Sequence, residues 1–276
     1  MSSLPSYQYQ PLALGEIRLL QLLPPRPDIA DDPIRFRIIH TTFARCNVID
    51  SFFSYEALSY VWGGDRTAAV SCEDHEILVT PNLVSALIQL RRNMSSFTNL
   101  HRTLWVDSIC INQNDVVERG HQVGLMREIY SNAVGVIVWL GGSQEVQNLV
   151  TLIQQGHLPW TGIYIHPGLH HDYYGHWNNT VSKVFDEAWF QRVWVIQEVT
   201  FAANIIVVGG TASCQWGELI DAAIGSKASP HSTPSQRMHC EAVLGIEWLR
   251  TSLGPSDPRK TVSKCEETLP FHSHIT

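Results

Sequence analysis

The chain has 276 residues, 44% apolar and 16% charged, a balance that excludes a disordered polar segment and can supply a sizeable core. Acidic residues outnumber basic ones, 26 to 19, and no basic stripe stands out, so no nucleic-acid partner is expected. No apolar run approaches the roughly 20 residues of a membrane-spanning helix. The first residues lack a secretory pattern and the six cysteines include no CxxC pair, so a cytoplasmic chain with reduced thiols is expected.

Residues 1–15 read as a flexible leader. Ile17 to Leu20 and Ile34 to Ile39 are β-type runs separated by the turn-rich PPRPDIADDP. Tyr55 to Val61 reads as a third strand that ends at Trp62-Gly63-Gly64. Two short apolar runs flank EDHE and suggest a hairpin. Thr80-Pro81 marks a helix start, with Leu83, Leu87 and Leu90 at helical spacing. Leu104 to Val106 is a buried strand closed by Asp107. Asn114 or Asp115 caps a helix carrying Val123, Met126, Ile129 and Tyr130 on one face. Val134 to Leu140 has the continuous apolar character of a central strand. A helix is expected from about Ser143 to Gln155, then an unpatterned loop insertion over about 156–178, then helix from near Asn179 to Val199 with a break near Trp189. A last strand, Ile205 to Val208, and a short helix, Trp216 to Ile224, close the pattern. Residues 226–276 read as a poorly patterned tail with a helical turn or two at Glu241 to Leu249. Strands alternating with helices predict an α/β fold, with a mainly parallel sheet flanked by helices and an added antiparallel hairpin.

Three blocks carry polar side chains where such elements end: YEALSYVWGG, LWVDSICINQND and RVWVIQEV. In the second, Asp107, Asn112, Gln113 and Asp115 follow the carboxyl end of a strand, where open α/β sheets bind ligands and where caps are also common. Cys110 lies between isoleucines, as a buried structural thiol would. The histidines of 157–176 lack the spacing of a zinc site, and no metal is assigned to them. In the third block, Trp194 and Glu198 are four residues apart on one helical face. The aromatic would withdraw the carboxylate from water and raise its pKa, unless Arg192 or Arg127 compensates. Glu198 is therefore either a functional carboxylate or half of a structural ion pair.

These blocks, in this order and spacing, resemble the fungal heterokaryon incompatibility (HET) domain, and the resemblance spans about residues 16–225. It implies a cytosolic protein of self/non-self recognition and incompatibility-type programmed cell death. A second resemblance is to TIR domains, through Ser59-Tyr60 at a strand end, Ile129-Tyr130-Ser131-Asn132 before a buried strand, and Trp194 four residues ahead of Glu198. This implies a TIR-like, flavodoxin-like fold and makes Glu198 the catalytic candidate for NAD cleavage, with Tyr60, Trp62, Gly63, Asp107 and Arg192 as candidate binding residues. No permanently bound cofactor is implied, and NAD is the candidate substrate. Partners would be a second copy or another HET or regulatory protein. The alternative is a non-enzymatic signalling module. HET proteins continue past a segment like Ser256 to Lys260 into more helix. Here the pattern breaks into TVSKCEETLPFHSHIT, as in a truncated or mis-spliced frame, so an inactive fragment is a further alternative.

Overall fold

The computed structural model describes residues 4–46, 53–92, 94, 101–156 and 170–254. Among the described residues nine strands form one sheet: β1 (Glu16–Leu22), β2 (Arg35–Thr42), β3 (Glu56–Tyr60), β4 (Ala68–Cys72), β5 (His75–Val79), β6 (Arg102–Trp105), β7 (Gly135–Trp139), β8 (Ile205–Gly209) and β9 (Ala212–Gln215). Their order is β5-β4-β2-β1-β6-β3-β7-β8-β9. The strands β6, β3, β7 and β8 are mutually parallel and form the heart of the sheet. Around them β1 runs antiparallel to both β2 and β6, and β4-β5 and β8-β9 are hairpins. The sheet is thus mixed rather than mainly parallel. The connection from β1 to β2, residues 23–34, holds no helix to cross over the sheet, so β2 returns antiparallel to β1, and β1 is antiparallel to β6 as well. Among the parallel four, the spatial order is second, first, third, fourth in the chain.

Helices cover the sheet. Helix α1 (Phe43–Cys46) is a single turn, and α2 (Pro81–Arg92) starts where Thr80 accepts the Leu83 amide, burying Leu83, Ala86, Leu87 and Leu90. The expected helix after Asp115 is two: α4 (Val116–Gly124) and α5 (Met126–Asn132), preceded by the one-turn α3 (Asp107–Cys110). Asp115 caps α4 by accepting from the amides of Val117 and Glu118. Helix α6 (Gln144–Gln154) is capped by Ser143. The insertion expected over 156–178 is partly helical, because α7 (His170–Phe185) begins inside it. A turn-rich connection, 186–194, then separates α7 from the short α8 (Val195–Thr200).

After α9 (Trp216–Ala228), the stretch expected to lack pattern contains the twenty-residue α10 (Pro234–Leu253). Thr233 and Gln236 form a capping box there, and Cys240, Val243 and Ile246 are buried. The core is one cluster running from β1 to α10. Arg18 of β1 lies fully inside it, paired with Glu118 at 2.6 Å and bonded to the carbonyls of Cys110 and Gln10. No helix among the described residues is long and apolar enough to cross a membrane.

Candidate functional site

The carboxyl end of β3 organises the polar centre of the molecule. Alternation along the strand sends Ser59 and Tyr60 to opposite faces, and both are buried. The Ser59 hydroxyl accepts from Trp189 Nε1 at 2.8 Å and donates to Glu198 Oε2 through a short hydrogen bond. An indole N–H can only donate, so this order of donors is forced. Glu198, on α8, is 1% exposed. Arg192, in the connection before α8, donates to Glu198 Oε1 at 3.0 Å and Oε2 at 3.4 Å, and to the Tyr60 carbonyl at 2.9 Å. Burial pushes the Glu198 carboxyl above the usual glutamate range, while Arg192 and the Ser59 hydroxyl pull it back. Every one of these partners donates, so the pocket is built for the ionised form.

A second carboxyl stands nearby. Asp107 opens α3 at the end of β6; its Oδ2 accepts from Trp62 Nε1 at 2.8 Å and its Oδ1 from the Ser108 amide at 2.7 Å. Burial and then the charge of Glu198 raise its pKa to about 6, against the two donors and Arg192. Tyr60 reaches the same corner, donating to Ser108 Oγ at 2.6 Å. Beyond Trp62, Gly63 and Gly64 take φ of +54° and +74°, a left-handed pair that glycine adopts without strain.

A cleft of about 280 Å³ opens where β3 and β7 end. Its lining includes Val61, Asn82, Trp139, Gly142, Ser143 and Trp189. In open α/β sheets the crevice at the point where strand order reverses is the usual ligand site, and β3 and β7 flank that point here. Asn82 pins both strand ends, donating to the Val61 carbonyl at 2.7 Å and accepting from Trp139 Nε1 at 2.9 Å. Trp189 joins cleft and carboxylate: it lines the first and holds Ser59 against the second.

Of the residues singled out from sequence, Glu198 and Arg192 meet directly, Arg192 also holds the Tyr60 backbone carbonyl, and Asp107 and Trp62 form a linked pair within electrostatic reach of Glu198. Gly63 lies in the turn that follows. Trp194 is 48% exposed just before α8 and its carbonyl accepts from the Glu198 amide, whereas the fully buried Trp189 is the tryptophan bonded into the carboxylate's side-chain network, through Ser59. Arg127 stacks on Phe201 instead of compensating the carboxylate. Asp115 is a cap, and Asn112 accepts from the Asn114 amide. Cys110 is fully buried with its pKa pushed up to about 12, the state of an unreactive thiol. His157 and His166 lie outside the described residues, and His176 is an exposed residue of α7. Among the described residues no cluster of three or more His, Cys, Asp or Glu is placed to hold a metal. Trp189, Ser108 and Asn82 were not singled out. The only signal for Trp189 is its place in WFQRVW, where the four-residue spacing to Glu198 points to Trp194 instead.

A family model described as heterokaryon incompatibility protein (HET) matches residues 55–198, a little over half of the chain and the span from Tyr55 to the buried carboxylate. The chain is also similar to "Heterokaryon incompatibility protein 6, OR allele" of Neurospora crassa, with 29% identity over 202 residues. That alignment covers 57% of this chain and 29% of the relative, so the chain spans less than a third of that protein's length. No solved structure matches significantly.

Proposed function

Because the chain belongs to the heterokaryon incompatibility (HET) family, we propose that it acts in fungal self/non-self recognition leading to incompatibility-type cell death, by cleaving NAD at Glu198. The observation that carries the chemistry is a buried carboxylate, Glu198, oriented by Ser59 and Arg192 near a cleft at the strand-order reversal. The order of the four parallel strands is that of a flavodoxin-like sheet, which supports the TIR-like reading. In NAD cleavage the bond between ribose C1′ and the pyridinium nitrogen breaks and its electron pair leaves with neutral nicotinamide, so no acid is needed to protonate the leaving group. Water then adds to the ribosyl cation and loses a proton. Glu198 would steady the developing positive charge. Trp62, at the surface, offers a ring for stacking, and Gly63-Gly64 lets the backbone approach a phosphate. Partners in this reading are a second copy or another HET or regulatory protein.

A second reading, a non-enzymatic signalling module, is favoured by one observation: Glu198 is sealed by Arg192 and does not line the cleft. Induced expression in a filamentous fungus separates the two. The enzymatic reading expects growth arrest with a fall in cellular NAD, both lost in Glu198→Gln. Arrest that persists in Glu198→Gln with NAD unchanged would establish the signalling module.

A further inference from the structure

The guanidinium that seals Glu198 is also the group best placed to leave it. The backbone of Arg192 is held by local turn bonds, its amide donating to the Trp189 carbonyl and its carbonyl accepting from Val195. Its side chain alone reaches Glu198 and Tyr60, so a rotation about side-chain bonds frees the carboxylate without disturbing α7 or α8. The bonds to Glu198 and Tyr60 use three of the five N–H groups of the guanidinium, whose side chain is 22% exposed. The neighbouring Val193 is 78% exposed, so the chain next to Arg192 lies at the surface.

A second cation stands over the same strand end. The Arg66 guanidinium lies 5.5 Å from the Trp62 ring centroid, and its charge, with that of Arg192, is felt at the Tyr60 hydroxyl. Between the Trp62 and Arg66 positions lie Gly63 and Gly64 in left-handed conformation, with no Cβ to obstruct approach to the backbone, followed by the exposed Asp65, whose charge the two arginines outnumber. Two arginines and an open glycine turn suit an anion with several oxygens, the geometry that guanidinium groups clasp in bidentate fashion. The opposing carboxyl, Asp107, already accepts from Trp62 and Ser108.

From this we infer that the carboxyl end of β3 is an anion site where a phosphate-bearing ligand draws Arg192 from Glu198 onto itself, with Arg66 as second cation, and so uncovers the carboxylate. The catalytic consequence rests on the reading of Glu198 given above; the exchange of Arg192 between two anions does not. It also explains how one side chain can be sealed at rest and yet reach a substrate. Only a ligand that carries the anion opens the site.

Titration calorimetry of the full chain with inorganic pyrophosphate tests the exchange, because Glu198 is then a competitor of the ligand. Glu198→Gln should bind pyrophosphate about tenfold more tightly than the parent, since one charge-assisted contact no longer has to be given up. The double variant Glu198→Gln/Arg192→Gln should lose that gain entirely, and Arg66→Ala should weaken binding about threefold to tenfold. In the parent protein, labelled with ¹⁵N-arginine, the Arg192 Nε resonance should move on adding pyrophosphate, a readout that needs no variant to fold. ADP-ribose in place of pyrophosphate distinguishes the sources: the same ordering of variants with tighter binding assigns the anion to a nucleotide, and no tightening assigns it to free phosphate. Equal or weaker binding by folded Glu198→Gln, or an Arg192 resonance that stays in place, overturns the inference. Anion exchange without nicotinamide release would leave the site standing and remove only the catalytic reading.

Discussion

Replacing Arg192 by methionine keeps most of the apolar stem and removes the charge that Glu198 depends on. Glu198 is buried, and its Arg192 partner bridges both carboxylate oxygens. Removing one member of such a pair costs about 3–5 kcal/mol, because the other charge stays buried without compensation. Arg192 is partly solvated, so the lower end, about 3 kcal/mol, is expected. For a chain of this size that lowers the melting temperature by about 6–12 °C. The loss should also depend on pH. Without Arg192, burial acts on Glu198 with less opposition, and its folded pKa rises further above that of the unfolded chain. A group raised on folding contributes stability that is full below the unfolded value, about 4.3, and is lost as pH climbs through the folded one. Arg192→Met should therefore trail the parent by more at pH 8 than at pH 5 in urea unfolding. Glu198→Gln added to it should recover most of the difference. A deficit equal at both pH values, or below about 0.5 kcal/mol, a size typical of surface substitutions, would refute the reasoning.

Other consequences follow from the same geometry. The Asp107 carboxyl should titrate by ¹³C NMR with a midpoint of about 6, and in Glu198→Gln that midpoint should fall, because the neighbouring negative charge is gone while Arg192 remains; a midpoint that rises would contradict the placement of the two carboxyls. Ser59→Ala strands the buried Trp189 indole N–H and takes a donor from Glu198, costing about 1–3 kcal/mol in denaturant unfolding. Asp115→Ala, far from the carboxylate in the chain, should cost about 1 kcal/mol through loss of the α4 cap and leave pyrophosphate affinity unchanged. Leu87→Ala in the buried face of α2 should cost about 2–5 kcal/mol by the same unfolding measurement.

Much of this architecture is legible in the residues themselves. Continuous apolar runs locate β1, β3, β6, β7 and β8, and the caps at Thr80, Asp115 and Ser143 begin helices as their side chains dictate. Strand direction is harder, because pairing sense is decided by connections and neighbours that no local pattern encodes; β1 lies antiparallel within a sheet expected to be mainly parallel. Helix α10 escapes pattern reading because Gly245 and exposed Met238, Ala242 and Trp248 blur its apolar face. The start of α7 is hidden by a run rich in histidine and tyrosine, which favours no helical face. At the site, the pairing of Glu198 with Arg192 follows from local charge, and Ser59-Tyr60 marks the strand end that receives it. The choice of Trp189 over Trp194 does not: the Glu198 amide bonds the Trp194 carbonyl within one helical turn, as the spacing expects, but the Trp194 ring is left half exposed while Trp189 is buried by a bond to Ser59 that no local pattern encodes.

The central claim, a catalytic carboxylate at position 198, is tested most directly by nicotinamide release from NAD. Concentrated full chain, with and without forced clustering, is incubated beside Glu198→Gln of matched melting temperature. The account predicts release by the parent and none by the variant. Equal release by both, or none by the clustered parent, would contradict it.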